Sequence, residues 1–349
     1  ENFCSEIVIQ KSSGQTDKRI AGIWDIVLWY GKAIDKLKYH QLFVEKPPIE
    51  SPDERYVCVE TPEGRIIDLS YNQKAGIEPL PKGRILRLRP TDSQTGGEKS
   101  RFGYPFQDKI LYPPGNRGWS TNKEGLDSLA KAKRLFAVGN TLRWKFYHDE
   151  FPLRYVNNLW TDLPSSGFGE KRIYVVQTVP SVITRCLLMT TDPGDLVFDP
   201  TCGSGTTAYV AEQWGRRWVT CDTSRVAVTL TKQRLMTALF DYYELAHPHE
   251  GVGSGFKYKT VQHIMLKSIA NNEPPAQETL YDQPFEDKRK ARVTGPFTVE
   301  AVPAPAVRPL TEVEGAPQSA DASIARSGPT LRHSEWRDEL LKCGIRGKH

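Results

Sequence analysis

The sequence predicts an α/β fold, and two segments near the middle of the chain are the basis for this prediction. A short apolar run, Leu196-Val197-Phe198, leads into a glycine-rich turn, and a helix-forming stretch follows at residues 208–214. A second apolar run begins at Trp218 and ends just before Asp222. Glycine permits the sharp turn between strand and helix, and the first amides of a helix are free to bind a ligand. The pattern is typical of a Rossmann-like unit.

The N-terminal residues 1–44 are predicted to form a β-ribbon. Strand-like runs occupy residues 6–10 and 25–30, and a polar loop that contains Ser12-Ser13-Gly14-Gln15 joins them. Apolar runs bounded by turn-forming residues favour strands. Residues 45–83 are rich in proline and glycine, so we expect them to be irregular.

Residues 84–160 hold the positive charge of the chain. They contain 14 Lys or Arg and seven Asp or Glu, whereas the whole chain has a formal net charge of +5. Cations concentrated among aromatic residues indicate a polyanionic partner, and nucleic acid is the first candidate. The residues predicted to contact DNA are five arginines expected in loops and one tryptophan: Arg84, Arg87, Arg89, Arg101, Arg117 and Trp119.

The same segment is expected to have a core and a helix. We expect more than half of its 12 aromatic residues to be buried, Trp144 and Trp160 included. A helix is predicted over residues 123–136, with Ser120 or Thr121 as its N-cap because a hydroxyl can accept from the first amides.

Helical patterns return later in the chain. We predict helices over residues 181–190, which end before an Asp-Pro-Gly-Asp turn, and over residues 225–240. Residues 302–330 are dominated by Pro, Ala, Ser and Gly, which is linker composition, and residues 331–349 regain helix-forming character.

Composition argues against several classes of protein. The six cysteines show no paired spacing of the kind that binds zinc, and proline separates the imidazoles of His247-Pro248-His249, which we interpret as a loop. No run approaches the roughly 20 apolar residues of a membrane span, and no signal peptide is visible. We therefore expect a reduced, cytoplasmic protein without a metal site or a membrane partner.

The glycine-rich loop alone leaves the cofactor open, because the spacing of Gly203, Gly205 and Ala208 also suits the dinucleotide of an oxidoreductase. Its wider context is more specific. An Asp-Pro pair precedes the glycines, and Gln177-Thr178-Val179-Pro180 lies upstream. With these neighbours the chain resembles the DNA amino-methyltransferases that modify adenine N6 or cytosine N4. The match is to their permuted, Mod-like branch, in which the cofactor motif follows the target-recognition region.

The resemblance implies that S-adenosylmethionine is the cofactor and that double-stranded DNA is the substrate. Asp222 corresponds to the family's ribose-binding acid, and Thr178 replaces its usual Lys. The segments 2–11 and 24–32 resemble late strands of the catalytic domain. The residues assigned to the cofactor are Gln177, Asp199, Pro200, Thr201, Cys202, Gly203, Ser204, Gly205, Thr206 and Asp222.

The resemblance also implies a domain order around an incomplete Rossmann-like methyltransferase sheet. The regions, in chain order, are the end of the catalytic subdomain at 1–44, the inserted target-recognition region at 45–170, the cofactor-binding subdomain at 171–245, a C-terminal extension at 246–301, the linker at 302–330 and a further helical element at 331–349.

The family's catalytic motif, Asp/Asn/Ser-Pro-Pro-aromatic, is not found in the sequence, so no catalytic residue is assigned. Tyr112-Pro113-Pro114-Gly115 lacks a polar first residue, and Asp282-Gln283-Pro284-Phe285 has Gln in second place. In the permuted branch the motif precedes the segment that begins at Asn2. We therefore expect the chain to be a piece of a longer protein. The strands beside the cofactor strand would then be missing, which would leave the β-ribbon with open edges and an exposed apolar face.

Several alternatives stay open at this point. The modified base is adenine N6 or, less favoured, cytosine N4. A restriction subunit is a possible partner of a Mod-like protein. The rival interpretations are a non-catalytic DNA-binding remnant and a nucleotide-dependent oxidoreductase.

Overall fold

The computed structural model describes residues 2–10, 20, 22–55, 57–163 and 178–301. The chain divides into two compact units, Glu1–Pro296 and Phe297–His349. The second unit is described only over residues 297–301, which form no helix or strand. The predicted linker at 302–330 and the helical element at 331–349 lie outside the described residues.

The first unit combines short helices with many short strands. Its α-helices are α1 (Tyr71–Lys74), α2 (Lys123–Lys131), α3 (Pro180–Thr190), α4 (Thr206–Gln213), α5 (Arg225–Thr237) and α6 (Leu266–Ala270). Its strands are β1 (Phe3–Gln10), β2 (Trp24–Tyr30), β3 (Phe43–Glu45), β4 (Val57–Glu60), β5 (Ile66–Asp68), β6 (Arg84–Pro90), β7 (Asp92–Ser93), β8 (Tyr104–Phe106), β9 (Lys109–Leu111), β10 (Gly118–Trp119), β11 (Leu135–Val138), β12 (Thr141–Tyr147), β13 (Leu153–Tyr155), β14 (Leu159–Trp160), β15 (Leu196–Asp199), β16 (Arg217–Thr220), β17 (Leu239–Tyr243), β18 (Tyr258–His263), β19 (Ala276–Pro284) and β20 (Glu286–Val293).

The strand, turn and helix predicted around the glycines are present. Strand β15 pairs with β16 in parallel, and α4 lies between them in sequence. The predicted helix at 181–190 is α3, which begins one residue earlier at Pro180. A parallel pair with a helical crossover is the expected α/β unit.

The predicted helix over residues 225–240 was too long. Helix α5 ends at Thr237, and Ala238 has an extended backbone (ψ 140°) that leads into β17. Phe240, Tyr242 and Tyr243 give that segment aromatic character, which favours a strand.

The predicted ribbon is confirmed, and it has an additional partner. Strands β1 and β2 pair in antiparallel register, and β1 also pairs in parallel with the short strand β14. Ile7 and Ile9 lie on the buried face. The opposite face carries the exposed apolar side chains expected from the sequence, since Trp24, Ile26 and Leu28 are exposed.

The described part of residues 45–170, the predicted recognition region, is more regular than expected. A five-stranded sheet with the order β11-β12-β6-β4-β5 takes two of its strands from residues 45–83, which were expected to be irregular. Those strands are only three or four residues long. The local sequence signal of such short strands is weak, and their pairing with β6 stabilises them.

Helix α2 also differs from its prediction. Its N-cap is Asn122, whose side chain accepts a hydrogen bond from the amide of Gly125 at 2.9 Å, so neither Ser120 nor Thr121 caps it. The helix ends at Lys131, because Lys133 has a left-handed backbone (φ 57°) and the chain then enters β11.

Two apolar clusters form the core of the unit. The first lies mostly in the predicted recognition region and includes Leu126, Leu129 and Trp144. The second joins the ribbon to α3 and α4 through Ile7, Trp160, Leu188, Val210 and other side chains. Seven of the 12 aromatic residues between 84 and 160 are buried, which confirms the expectation for this segment.

Residues 239–293 pack on both clusters. Ala270 and Leu280 belong to the first, and Tyr243 and Tyr281 pack against the second. Arg292 forms an ion pair with Glu212 at the end of α4 (2.6 Å). Residues 239–293 are therefore packed into the first unit.

Within the described residues, no helix is long and apolar enough to cross a membrane. The same residues contain no group of three or more His, Cys, Asp or Glu side chains arranged to hold a metal ion.

The packing of α2 predicts a large loss of stability when one of its core side chains is shortened. Leu129 is fully buried, so Leu129→Ala should lower the free energy of unfolding by about 2–5 kcal/mol. Leu80→Ala is the matched control, because Leu80 is exposed and its loss should cost no more than about 0.5 kcal/mol. Urea unfolding of both variants would measure this, and equal effects would contradict the described core.

An ion pair between α3 and the segment after β14 predicts an acid-dependent stability. The guanidinium of Arg185 donates to Asp162 Oδ1 at 3.0 Å and also to Oδ2, and it lies over the Trp160 ring. Its hydrogen bond lowers the pKa of Asp162 below the ordinary 3.8. The stabilisation is therefore fully present above pH 3.8 and is lost as pH falls through the lowered pKa.

In Asp162→Asn this contribution should be absent, so the variant should be less stable than the wild type at pH 7. Its stability should also fall less steeply between pH 5 and pH 2 than that of the wild type. Urea unfolding across this range is the measurement, and parallel pH profiles for the two proteins would contradict the assignment.

Candidate cofactor site

The candidate site is the loop at residues 199–206 together with Asp222. Strand β15 ends at Asp199, and the backbone then turns through Gly203 (φ 52°) and Gly205 (φ 73°) into α4. A Cβ atom at Gly205 would lie 2.5 Å from the Cγ2 atom of Thr231 on α5. Only glycine can therefore occupy this position without displacing its neighbour.

Two carboxylates hold the backbone of the loop. Asp199 Oδ1 accepts from the amide of Thr201 at 3.0 Å. Asp222 accepts from Gly203 N through Oδ2 (2.9 Å) and from Ser224 N through Oδ1 (2.8 Å). A carboxylate has about four acceptor positions, so Asp222 can still accept hydrogen bonds from a ligand.

The parallel pairing of β15 and β16 brings these acids to one edge. Asp199 lies opposite Thr220, and the ladder continues past the strands. Cys202 N donates to Cys221 O at 2.8 Å, and Cys221 N donates to Asp199 O at 2.9 Å. The loop is thus tied to the second strand by backbone bonds as well as by Asp222.

Helix α5 holds the loop through side chains that the sequence prediction missed. Thr231 Oγ1 donates to the carbonyl of Gly203 at 3.1 Å. Arg234 Nη1 donates to the carbonyl of Ser204 at 3.3 Å and to Thr206 Oγ1 at 3.2 Å, and its guanidinium lies over the Tyr209 ring. Thr231 and Arg234 are three residues apart, so both lie on one face of α5. This spacing is the sequence signal by which they could have been found.

Four amides of the loop and the helix start have no acceptor in the described part of the chain: those of Ser204, Thr206, Thr207 and Ala208. The amides at a helix N-terminus point outward along the axis and carry partial positive charge. With the carboxylate of Asp222 beside them, the site offers both donors and acceptors to a ligand.

The structure brings together nine of the ten predicted cofactor residues, from Asp199 to Thr206 and Asp222. Gln177 lies outside the described residues. The fragment Asp282-Gln283-Pro284-Phe285 does not follow a strand beside the loop. Its first three residues belong to β19, which pairs with β18 in a separate two-stranded sheet.

The predicted DNA contacts are placed differently from the expectation. Arg84, Arg87 and Arg89 lie on strand β6 and not in loops. Arg84 forms a bidentate pair with Asp149 (2.7 and 3.0 Å), and Arg87 is paired with Glu54. Leu and Arg alternate over residues 86–89, which is the period-2 signal of a strand that the prediction of loops overlooked.

The remaining predicted contacts also have internal partners. Arg117 is paired with Asp92, and Arg101 donates to the carbonyl of Asn116 at 2.5 Å. Arg89 is exposed, with its guanidinium over the Phe146 ring. Trp119 is 2% exposed and donates to the carbonyl of Phe102, so its ring is not available to stack on a base.

The family model and the related proteins that match this chain are all DNA-methylating or restriction-modification proteins by name. A family model described as DNA methylase matches residues 2–233. The type II methyltransferase M.EcaI of Enterobacter cloacae is 24% identical over 240 residues, which cover 67% of this chain and 47% of that protein. The probable type III restriction-modification enzyme HindVI Mod subunit of Haemophilus influenzae is 30% identical over 110 residues, which cover 30% of this chain and 15% of that protein.

A solved structure, the M1.HpyAVI–SAM complex, has a TM-score of 0.22 and 23% identity, and the match covers 29% of this chain and 52% of that one. This likeness is low. The chain spans about half the length of M.EcaI and a smaller share of the HindVI subunit.

The close contact at Gly205 predicts that this glycine cannot be replaced. Gly205→Ala would force an alanine into the left-handed region, at a cost of about 1–3 kcal/mol, and would displace Thr231. Gly97→Ala is the control, since Gly97 has φ −70° and open space around it, and its change should stay within about 0.5 kcal/mol. Urea unfolding compares them, and a Gly205→Ala protein as stable as the control would refute the described loop.

Proposed function

The chain belongs to the DNA methylase family, and we propose that its protein transfers a methyl group from S-adenosylmethionine to an exocyclic amine of a base in double-stranded DNA. The observation that carries the proposal is the glycine loop whose amide at Gly203 is held by Asp222 (2.9 Å). This arrangement leaves carboxylate acceptors next to free helix amides, as a ligand with ribose hydroxyls and a negative group requires, and the family match favours S-adenosylmethionine among such ligands.

The groups at the loop suit the chemistry of S-adenosylmethionine. Asp222 is half-buried and keeps acceptor positions that the two ribose hydroxyls can use. The amides of Thr206 and Thr207 at the start of α4 suit the carboxylate of the amino acid. When bound, the cofactor supplies an electrophilic methyl group on a sulfonium. The protein residues bind and orient it.

We assign no catalytic residue to this chain. An exocyclic amine must approach the methyl group in line, from a base turned out of the duplex, and it needs acceptors that orient its lone pair. Residues 1–349 contain no Asp/Asn/Ser-Pro-Pro-aromatic motif that would supply them. The role proposed for this chain is therefore to hold the cofactor and the DNA.

The finer features of the proposal rest on the resemblance to the Mod-like branch. We propose adenine N6 as the target in preference to cytosine N4. A restriction subunit is proposed as a partner because one relative is a Mod subunit of a restriction-modification enzyme. A cytoplasmic location is part of the same proposal.

The DNA surface proposed here lies in the recognition region of residues 45–170. Its excess of cations over residues 84–160 supports the proposal. Among the predicted contacts, Arg89 and Arg101 are exposed and have no carboxylate partner in the described part of the chain. Arg84, Arg87 and Arg117 would first have to leave their own carboxylates. We therefore propose that Arg89 and Arg101 contribute most to phosphate binding.

A non-catalytic DNA-binding protein is the alternative, and the missing amine-acceptor motif is the observation that favours it. The oxidoreductase considered from the glycine loop alone is set aside, because the family match covers residues 2–233.

The test of function uses the protein expressed from its complete gene, incubated with DNA and methyl-labelled S-adenosylmethionine. Mass spectrometry of the digested nucleosides should show labelled N6-methyladenine. Labelled N4-methylcytosine would correct the target base, and no label in either base would favour the non-catalytic alternative. The 349-residue chain alone is expected to transfer no methyl group. Robust transfer by this chain would make Asp282 a catalytic candidate.

The ion pairs of the recognition region predict which arginines control the salt dependence of DNA binding. Arg89→Ala and Arg101→Ala should each reduce the slope of log Kd against log salt by about 0.9, because each removes one phosphate contact. Arg84→Ala and Arg117→Ala should leave the slope nearly unchanged. Fluorescence anisotropy with a labelled duplex measures these slopes. An unchanged slope for both Arg89→Ala and Arg101→Ala would count against the proposed surface.

A further inference from the structure

Two side chains of α5 fix the orientation of the cofactor loop, and we propose that Thr231 and Arg234 are positioning residues for the amino-acid end of the methyl donor. The inference rests on the function proposed above. It adds a second set of residues to the site, behind those that the resemblance assigns to the cofactor.

The planar geometry of the peptide bond links the hydroxyl contact of Thr231 to the direction of a loop amide. The carbonyl of Gly203 and the amide of Ser204 belong to one planar trans peptide, so they point in opposite directions. Thr231 Oγ1 holds that carbonyl at 3.1 Å. The free amide of Ser204 is therefore turned away from α5.

The next peptide is fixed in the same way. Arg234 Nη1 holds the carbonyl of Ser204 at 3.3 Å, while the amide of Gly205 in that peptide donates to Cys202 O at 2.8 Å. Both ends of the peptide are thus bound. The turn that presents Ser204 cannot rotate without breaking contacts on both sides of the loop.

Packing leaves little freedom between the loop and the helix. Thr231 is 4% exposed, and its side chain fills the space that a Cβ atom of Gly205 would need. Its hydroxyl also lies 3.6 Å from the thiol of Cys202. Loop and helix therefore form one rigid element, in which a change at Thr231 alters the loop directly.

The charge of Arg234 indicates which part of a ligand the loop recognises. Its guanidinium contacts Thr206 Oγ1 (3.2 Å) at the first residue of α4. A cation here adds to the partial positive charge of the helix N-terminus, and both favour a negative ligand group. In S-adenosylmethionine the only negative group is the carboxylate of the amino acid. We infer that this carboxylate is bound by the amides of Ser204, Thr206 and Thr207.

The experiment compares two ligands that differ at this end. S-adenosylhomocysteine has the amino acid, whereas methylthioadenosine keeps the adenosine and the thioether but lacks it. Isothermal calorimetry with the protein expressed from its complete gene should show that Arg234→Met and Thr231→Val each weaken the binding of S-adenosylhomocysteine about tenfold. This is the effect expected when one charge-assisted hydrogen bond to the ligand is lost or misoriented. Binding of methylthioadenosine should change less than about twofold, and Arg234→Lys should restore part of the affinity.

Matched controls are available on the same helix. Thr229→Val removes a hydroxyl whose one bond within the described residues is to Arg225 O of α5 (2.8 Å), and Lys232→Met removes an exposed cation. Both controls should bind the two ligands as the wild type does. Thermal melting of every variant shows whether the fold is retained.

The other outcomes overturn the inference. Wild-type affinity for S-adenosylhomocysteine in both Thr231→Val and Arg234→Met would show that the side chains do not position the loop. An equal loss for the two ligands would show a general structural role without preference for the carboxylate. If the wild-type protein binds neither ligand, the proposed function itself fails, and this inference fails with it.

Discussion

The parallel pairing of β15 and β16 is the constraint on which the site depends. Because the two strands are in register from Leu196 to Asp199, the turns that follow them start at the same height. This lets the backbone of Cys202 bond to Cys221 and lets Asp222 reach the amide of Gly203. A shift of one residue would reverse the faces of the strand and separate the loop from the carboxylate.

Several cations between residues 84 and 160 form ion pairs within the chain itself. Arg134 is paired with Glu150, and Lys145 with Glu60, and all four side chains are largely buried. Glu60 also accepts from the hydroxyl of Tyr147, and desolvation of this tyrosine raises its pKa well above the ordinary 10.0. Removing one partner of such a pair would leave an uncompensated buried charge. Net charge over residues 84–160 therefore overstates the number of cations that can contact a polyanionic partner.

The sequence predicted what is local and failed where partners lie far apart in the chain. Local sequence signals mark three elements. Glycines stand where the loop needs a left-handed backbone, a proline stands at the start of α3, and apolar residues alternate in β1 and β2. The pairing of β1 with β14 joins residues about 150 positions apart, and neither strand indicates it. Thr231 and Arg234 were missed for the same reason, since their partners in the loop lie 28 and 30 residues earlier.

Contacts between distant parts of the chain also hold the last strands, β17 to β20, in the first unit. The family match ends at residue 233, yet the segment beyond it reaches both apolar clusters. The ring of His263 stacks on Phe151 of the predicted recognition region (3.8 Å between centroids), and Tyr281 of the next strand packs against His40 (4.3 Å). Arg292 of the same segment forms an ion pair with Glu212 at the end of α4, the helix that begins at the glycine loop. Because this one segment contacts residues of the N-terminal part of the chain, of the predicted recognition region and of α4, its packing contributes to the stability of all three.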